Sequence, residues 1–146
     1  MLLVKKFNYK HDIKFLYSLR NNIQVRNFFF SKKIVNYLNH LLWIRKAIKD
    51  NLIFIIYNNK KKIGFVRYTI NRNCYYISIA NLPNFRKKGL MKKAVLRSEK
   101  FLKKKIIFAE VLAYNKSSIK FFKSCGYEIC KIESKKIIFK KLSDKN

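Results

Sequence analysis

Apolar residues recur along the chain with two spacings, one typical of strands and the other of amphipathic helices. Short runs rich in β-branched and aromatic residues predict strands, because these side chains pack well on a pleated surface. Apolar residues repeated every three or four positions predict helices. The pattern predicts seven strands, at 2–7, 52–57, 63–69, 74–80, 106–113, 127–132 and 135–141, and four helices, at 11–19, 33–49, 89–104 and 116–124.

The second predicted helix, at 33–49, combines an apolar stripe with a capping signal. Ser31 precedes the stripe, and its hydroxyl is expected to accept a hydrogen bond from one of the first N–H groups of the helix, which have no partner within it. The stripe predicts which side chains face the core. They are Ile34, Leu38, Leu41 or Leu42, and Ile48.

The order of these elements, β-α-α-β-β-β-α-β-α-β-β, defines a fold class. Residues 58–61, Asn-Asn-Lys-Lys, predict a hairpin between the second and third strands. The strands at 74–80 and 106–113 flank one helix, and such a crossover places two strands parallel and side by side. We therefore predict an α+β (α/β three-layer) fold, with a mixed, mostly antiparallel sheet of about seven strands and four helices, in a single domain spanning 1–146.

The net charge of +28 raises the possibility of nucleic-acid binding, because clustered cations neutralise phosphates. The basic residues are 28 lysines and 7 arginines, whereas proteins that read nucleic-acid bases rely on arginine. Lys, Asn, Ile, Phe and Tyr, which share AT-rich codons, are all abundant here. Genomic drift is therefore the favoured explanation of the charge, and a nucleic-acid partner is the less favoured one.

Hydropathy and cysteine content point to a reduced, cytoplasmic protein without a membrane span. The longest apolar run, 52–57, is far shorter than the roughly 20 residues that a membrane helix needs. Cys74, Cys125 and Cys130 form no Cys-x-x-Cys pair and are odd in number. This arrangement favours free thiols over a disulfide framework, and no metal site is predicted.

A basic turn at 83–91 is the first candidate for chemistry. Arg86, Lys87, Lys88 and Gly89 stand where the third helix begins. A helix N-terminus offers unpaired N–H groups and partial positive charge, and a glycine lets a phosphate approach the backbone. The turn therefore predicts a diphosphate site. The alternative is a solvated basic turn in a lysine-rich protein.

A second segment, 115–127, reads Asn-Lys-Ser-Ser-Ile-Lys-Phe-Phe-Lys-Ser-Cys-Gly-Tyr. Its Asn115, Ser118, the aromatic pair and the closing Gly-Tyr stand in register with the basic turn about 30 residues upstream. Together the two segments resemble the motifs of the GNAT acetyltransferase superfamily, and the resemblance extends to the predicted order of elements over the whole chain. It implies an enzyme that transfers an acetyl group from acetyl-CoA to a primary amine.

The resemblance implies a role for each matching residue. The turn residues would hold the coenzyme diphosphate, and the end of the fourth strand would pair with the pantetheine arm and stabilise the oxyanion. Asn115 and Ser118 would face the coenzyme, with Phe121 packed beneath it. The implied set is Ile79, Ala80, Asn81, Leu82, Arg86, Lys87, Lys88, Gly89, Leu90, Met91, Asn115, Ser118 and Phe121.

Two positions depart from the family pattern. Met91 replaces a Gly or Ala, which crowds the diphosphate unless its side chain turns into the core. Phe122 replaces the tyrosine that many members use to protonate the leaving thiolate. Tyr127, Tyr114 or water would then supply the proton.

The general base is a separate question, because the amine must lose a proton before it attacks. Glu110, on a strand facing the implied cleft, is the candidate, and a plain surface carboxylate is the alternative. Tyr76 stands where some relatives carry a glutamate.

The acceptor would be a small amine bound by the first two helices. The residues Arg20, Asn21, Arg26, His40 and Trp43 look like those of the subgroup that acetylates nucleotide-linked amino sugars. Arginine suits phosphate, and a tryptophan can stack on a ring. The alternatives are a ribosomal-type protein N-terminus and a non-catalytic relative that binds CoA or RNA. A monomer or a homodimer is expected.

Overall fold

Seven strands and five α-helices form the structure, a computed structural model that describes residues 1–103 and 105–143. The strands are β1 (Leu2–Lys6), β2 (Asn51–Asn58), β3 (Lys61–Asn71), β4 (Cys74–Asn81), β5 (Ile106–Leu112), β6 (Glu128–Ile132) and β7 (Lys136–Leu142). The helices are α1 (Tyr9–Asn21), α2 (Ile23–Arg26), α3 (Tyr37–Asp50), α4 (Leu90–Glu99) and α5 (Lys116–Ser124). No helix within these residues is long and apolar enough to cross a membrane.

The strands form one sheet in the order β1-β2-β3-β4-β5-β7-β6. All neighbours are antiparallel except β4 and β5, which run parallel, so the predicted mixed sheet and its one crossover are confirmed. The hairpin between β2 and β3 turns through Asn59 and Lys60, both with positive φ. Two consecutive residues in the left-handed region match the right-handed twist of the two strands.

Pairing between β4 and β5 is short, and this shapes the site. Their register runs from Cys74 opposite Ile106 to Tyr76 opposite Phe108. Beyond that pair, β4 continues to Asn81 and β5 to Leu112 without hydrogen bonding to each other. The two strands therefore open a wedge in the middle of the sheet.

Helices cover both faces of the sheet and create two cores. On one face, α4 and α5 pack Met91, Ala94, Val95 and Phe122 against the strands. On the other face, α1 to α3 form a second core with residues such as Leu16 and Ile44. Strand β2, which lies inside the sheet between β1 and β3, contributes to both cores through alternate residues, and this explains its unbroken apolar run.

The apolar face predicted for the helix at 33–49 is wrong. Helix α3 begins later, and its N-cap is Asn36, whose side chain accepts from the N–H of Asn39 at 2.8 Å, rather than Ser31. The buried side chains are His40, Ile44 and Ala47. Ile34, Leu38, Leu42 and Ile48 are exposed, and Leu41 is half-buried.

This choice of face has a physical reason. The ring of His40 is fully buried, and its Nε2 lies 3.2 Å from the carbonyl oxygen of Ile13 on α1. A polar ring with a partner loses little on burial, so the polar residue joins the core.

Two other helices differ from the prediction. Helix α2 was not predicted; it is a single turn capped by Asn22, whose side chain accepts from the N–H of Gln24 at 2.9 Å. Helix α4 ends at Glu99, earlier than predicted, and Phe101 is half exposed. Lys104, the predicted end, lies outside the described residues.

A buried ion pair links the end of α4 to strand β7. The Glu99 carboxylate accepts from the hydroxyl of Tyr127 at 2.7 Å and from Nζ of Lys141, on β7, at 2.8 Å. Lys141 also donates to the carbonyl oxygen of Cys125 at 2.8 Å. The side chain of Glu99 is 4% exposed, so its charge depends on these two donors.

Replacing Lys141 by Met should lower the free energy of unfolding by about 3 kcal/mol, because a buried carboxylate loses its counter-ion. Chemical denaturation followed by circular dichroism measures this change. Lys140→Met is the matched control, since the neighbouring Lys140 is exposed and forms no ion pair in the described chain. Equal destabilisation by both variants would contradict the role given to the Glu99 pair.

Candidate active site

A cavity of about 820 Å³ opens where β4 and β5 separate. Its lining comes from both faces of the sheet: the start of α4 and α5 on one side, and α1, α3 and β3 on the other. The wedge between the strands connects the two sides. A ligand bound on one face can therefore reach a ligand bound on the other.

The basic turn before α4, predicted to be a diphosphate site, lies at the cavity. Gly89 is the N-cap of α4 with φ of +72°, and no atom lies within 4 Å of the position that a Cβ would take. No side chain caps the helix, and the adjoining Leu90, Met91 and Lys92 all line the cavity. The first N–H groups of α4 therefore remain available to an anion.

The cations of this turn have different surroundings. Arg86 donates to the carbonyl oxygen of Gln24 at 2.9 Å, which links the turn to α2, and burial lowers the pKa of its guanidinium. Lys87 has a positive φ, and Lys88 lies 5.6 Å from the ring centroid of Phe85. Met91, which departs from the family pattern, turns its side chain into the core and is 6% exposed.

The end of β4 forms the wall of the wedge. Ile79, Ala80 and Asn81 line the cavity. Leu82 does not: it packs against the core below α1 to α3, and its N–H donates to the carbonyl oxygen of Ile63 at 2.7 Å. Gly64 supports this wall from β3, where a Cβ would lie 2.4 Å from the carbonyl oxygen of Ala80.

The start of α5 completes the same side of the cavity. Asn115 caps the helix by accepting from the N–H of Ser118 at 3.1 Å and donating to its hydroxyl at 2.9 Å. Both residues line the cavity together with Phe121. Phe122 also reaches the lining, but it is 4% exposed and packs against Tyr127 and Phe139.

Of the five residues predicted to bind the acceptor, Arg20 and Trp43 line the cavity. Asn21 instead holds the following loop, since its side-chain amide exchanges hydrogen bonds with the backbone of Val35 at 2.7 and 2.9 Å. Arg26 donates to the carbonyl oxygen of Asn21 at 2.7 Å. The structure therefore brings neither Asn21 nor Arg26 to the cavity.

His40 lies beneath Arg20 and outside the lining. Its Nδ1 is 3.5 Å from Nη1 of Arg20, and burial lowers its pKa, a shift that the Arg20 charge reinforces. A neutral ring with its proton on Nε2 would donate to Ile13 and accept from Arg20. His40 thus positions Arg20 from within the core.

Arg67 and Ser78 line the same side of the cavity and were missed by the sequence reasoning. The Nη2 of Arg67 donates to the Ser78 hydroxyl at 3.2 Å. A signal was present in the sequence, because Arg67 lies within the apolar strand 63–69, two residues after Phe65 and therefore on the same side of it. An arginine at an inward position of a strand indicates a buried charge, which needs a partner such as a bound anion.

The two predicted catalytic residues lie in different places. Glu110 lines the cavity, and its carboxylate lies 3.3 Å from Nζ of Lys136. Tyr127 is 3% exposed and lies outside the lining, with its hydroxyl on Glu99. Burial and the Glu99 charge raise the pKa of Tyr127, so this proton is held inside the core.

Tyr114, the other proton donor considered, also lies outside the lining. Its hydroxyl donates to the carbonyl oxygen of Asn27 at 3.0 Å and so ties the loop after α2 to the β5–α5 connection. Among the described aromatic hydroxyls considered for thiolate protonation, neither reaches the cavity.

Comparison with known families identifies the family of the chain. The model of the acetyltransferase (GNAT) family matches residues 19–127, which include the basic turn, Glu110 and the Asn115 cap. The chain belongs to the GNAT acetyltransferase family. It is therefore an acyltransferase whose acetyl donor is acetyl-CoA.

Solved structures share the fold of this acetyltransferase. A domain from Methanocaldococcus jannaschii is 23% identical, with a TM-score of 0.86 over 97% of this chain and 98% of that one. Spermidine N-acetyltransferase from Vibrio cholerae, in complex with CoA and spermine, is 18% identical, with a TM-score of 0.82 over 99% and 96%. Ribosomal-protein-alanine N-acetyltransferase from Brucella melitensis is 16% identical, with a TM-score of 0.76 over 96% and 99%. Among curated proteins, none matches the sequence.

The residues of the acetyltransferase fit acetyl-CoA on the observed geometry. Open space above Gly89 leaves room for a phosphate against the backbone, with Lys87 and Lys88 beside it. The part of β4 beyond Tyr76 has a backbone edge without a strand partner on the β5 side. An extended amide-containing arm can satisfy those N–H and C=O groups.

Gly89→Glu should weaken acetyl-CoA binding by at least about tenfold beyond Gly89→Gln, because it adds a carboxylate where the diphosphate is expected. Both variants carry the same backbone strain and nearly the same volume, so their difference isolates charge. Calorimetric titration with acetyl-CoA measures binding, and thermal unfolding without ligand checks that both variants fold. Unchanged affinity in both would show that the diphosphate binds elsewhere.

Proposed function

We propose that this acetyltransferase transfers the acetyl group of acetyl-CoA to the primary amine of a small acceptor in the cavity between β4 and β5. One observation carries the proposal: the Gly89 turn on one face of the sheet and Glu110 on the other line a single cavity. The donor would bind on the α4 side and the acceptor on the α1 side. The amine and the thioester would then meet in the wedge.

The chain's residues would hold the donor at two places. The first N–H groups of α4, with Lys87 and Lys88, bind the diphosphate. The free edge of β4 at Ile79, Ala80 and Asn81 pairs with the pantetheine arm and orients the thioester. Acetyl-CoA supplies an activated acyl carbon with a thiolate leaving group.

Glu110 acts on the acceptor. An amine arrives as an ammonium ion, and its nitrogen has no free electron pair until a proton leaves. The Glu110 carboxylate takes that proton, directly or through one water. The nitrogen then forms a bond to the acyl carbon, the carbon–sulfur bond breaks, and the second nitrogen proton is released to solvent.

The wedge also stabilises the developing charges. A backbone N–H at the free edge of β4 donates to the carbonyl oxygen as negative charge builds on it. Phe122 has no proton to give, so the thiolate departs as an anion and takes its proton from water. The reaction can proceed without a proton donor on the protein, because the coenzyme thiolate is a good leaving group near neutral pH.

A nucleotide-linked amino sugar is our finer proposal for the acceptor. Arg20 and Trp43 support it, because both line the acceptor side and offer a phosphate partner and a stacking surface. Arg26 gives no support, since it is used by the loop. The Vibrio cholerae and Brucella melitensis neighbours are named for a polyamine and for a ribosomal protein, so both acceptor classes belong in the test.

Release of free thiol from acetyl-CoA tests the function. Purified protein is given acetyl-CoA with an amino-sugar nucleotide, the free amino sugar, spermidine or a peptide with an N-terminal alanine. Thiol release that depends on one of the amines, with the acetylated product seen by mass spectrometry, supports the proposal. Tight acetyl-CoA binding without turnover of any amine would favour a non-catalytic relative.

Glu110→Gln should lower kcat/KM by about 100-fold at neutral pH, since the amine loses its proton acceptor. The loss should shrink as the pH approaches the pKa of the amine, because solvent then removes the proton. Glu133→Gln is the matched control, as Glu133 also lies near Lys136 but outside the cavity. A loss of the same size at every pH would contradict the role of Glu110 as base.

A further inference from the structure

Two arginines on the acceptor side of the cavity share one tryptophan. The guanidinium carbon of Arg20 lies 4.6 Å from the ring centroid of Trp43, and that of Arg67 lies 5.1 Å from it. Three elements hold the three side chains: α1, α3 and β3. All three residues line the cavity. We call this group the arginine–tryptophan cluster.

The two positive charges of the cluster have no counter-ion among the residues that the structure describes. No carboxylate in 1–103 or 105–143 forms an ion pair with Arg20 or Arg67. Among the described residues that line the cavity, Glu110 is the one with a carboxylate, and it forms an ion pair with Lys136. The cluster therefore holds two like charges against one tryptophan ring, a costly arrangement unless an anion compensates them.

Arg67 in particular has a donor that lacks a hydrogen-bond partner within the described chain. Its Nη2 donates to Ser78, but its Nε is buried and donates to nothing within the described chain. Burial, with a smaller effect from Arg20, lowers the pKa of its guanidinium to about 10, so it remains charged at neutral pH. A buried donor on a charged group leaves a hydrogen bond to be made.

The position of Arg67 identifies which ligand would make that bond. Arg67 stands opposite Ser78 in the register of β3 and β4, on the face covered by α1 to α3. The turn at Gly89 begins α4, on the opposite face of the sheet. The cluster is thus separated by the sheet from the expected donor diphosphate, and its anion belongs to the acceptor.

We propose that Arg67 and Arg20, aligned by Trp43, bind a carboxylate or a phosphate carried by the acceptor amine. The inference rests on the proposed function and narrows its substrate to amines that also bear an anion. Arg67 and Arg20 offer guanidinium donors, and the Ser78 hydroxyl can donate as well. His40 positions Arg20 from below.

The same cluster rejects polycations. A second ammonium group placed near Arg20 and Arg67 meets two uncompensated charges in a partly desolvated site. A polyamine such as spermidine should therefore be a poor acceptor here. An amine whose far end is neutral should lie between the two classes.

Trp43 reports on the proposed site without any turnover, since it is the only tryptophan in the chain. Its fluorescence is titrated at constant ionic strength with γ-aminobutyrate and aminopropyl phosphate, and with the matched amines butylamine and aminopropanol, whose far ends are neutral. The two anionic amines distinguish a carboxylate site from a phosphate site. A saturable change with at least one of them, absent with its neutral partner, supports the proposal.

Variants assign the change to the cluster. Arg67→Met and Arg20→Met should each weaken the binding of the anionic amine by at least about tenfold, through loss of a charged hydrogen bond. Arg45→Met removes the same charge from the exposed face of α3 and should leave binding unchanged. Arg67→Lys retains the charge and gives a folded comparison if the Met variant is unstable.

Turnover provides the second measurement. In the wild type, kcat/KM should be higher for an anionic amine than for its neutral partner, and this ratio should fall at least about tenfold in Arg67→Met. Turnover that prefers spermidine or the neutral amines would overturn the inference and leave the proposed function intact. A saturable fluorescence change that depends on the anion, without turnover of any amine, would support the inference and contradict the proposed function. No fluorescence change with either anionic amine also overturns the inference.

Discussion

The end of pairing between β4 and β5 is the constraint on which the site depends. Tyr76 and Phe108, the last opposed pair, stack their rings 5.5 Å apart, and beyond them the strands separate. Buried backbone groups without partners are costly, so the freed edge of β4 needs a ligand to pair with. The same separation joins the two faces of the sheet. The proposed transfer of an acetyl group between ligands on opposite faces of the sheet requires that the pairing of β4 and β5 ends here.

Two glycines adapt the backbone to that opening. Gly64 lets β3 approach the carbonyl oxygen of Ala80 where any Cβ would collide, and it thereby fixes the wall that β4 presents. Gly89 adopts the left-handed conformation that begins α4 and keeps the space above it clear. With few glycines in the chain, two of them shape one cavity. Backbone geometry at these two glycines therefore shapes the cavity at the end of β4 and at the start of α4.

The sequence predicted the parts of the fold that depend on local patterns. Short runs of β-branched and aromatic residues located all seven strands, the crossover helix located the parallel pair, and the Asn115 cap placed α5 within its observed bounds. Tertiary packing decided the rest. Helix α3 carries two apolar stripes, and packing against α1 and the sheet, including the contact of His40 with Ile13, buries one of them. The role of Arg67 could not be predicted, because its partners, Trp43 and Ser78, come from other elements.

The location of the charges, rather than their sum, connects the structure to chemistry. Lysines account for most of the net charge of +28, yet three of the seven arginines, Arg20, Arg67 and Arg86, line the cavity. Burial lowers the pKa of each of these three guanidinium groups. A guanidinium is weakly hydrated and keeps its charge when partly buried, which a lysine does less readily. Arginine at these three positions therefore suits the proposed roles, in which a partly buried cation meets an anion.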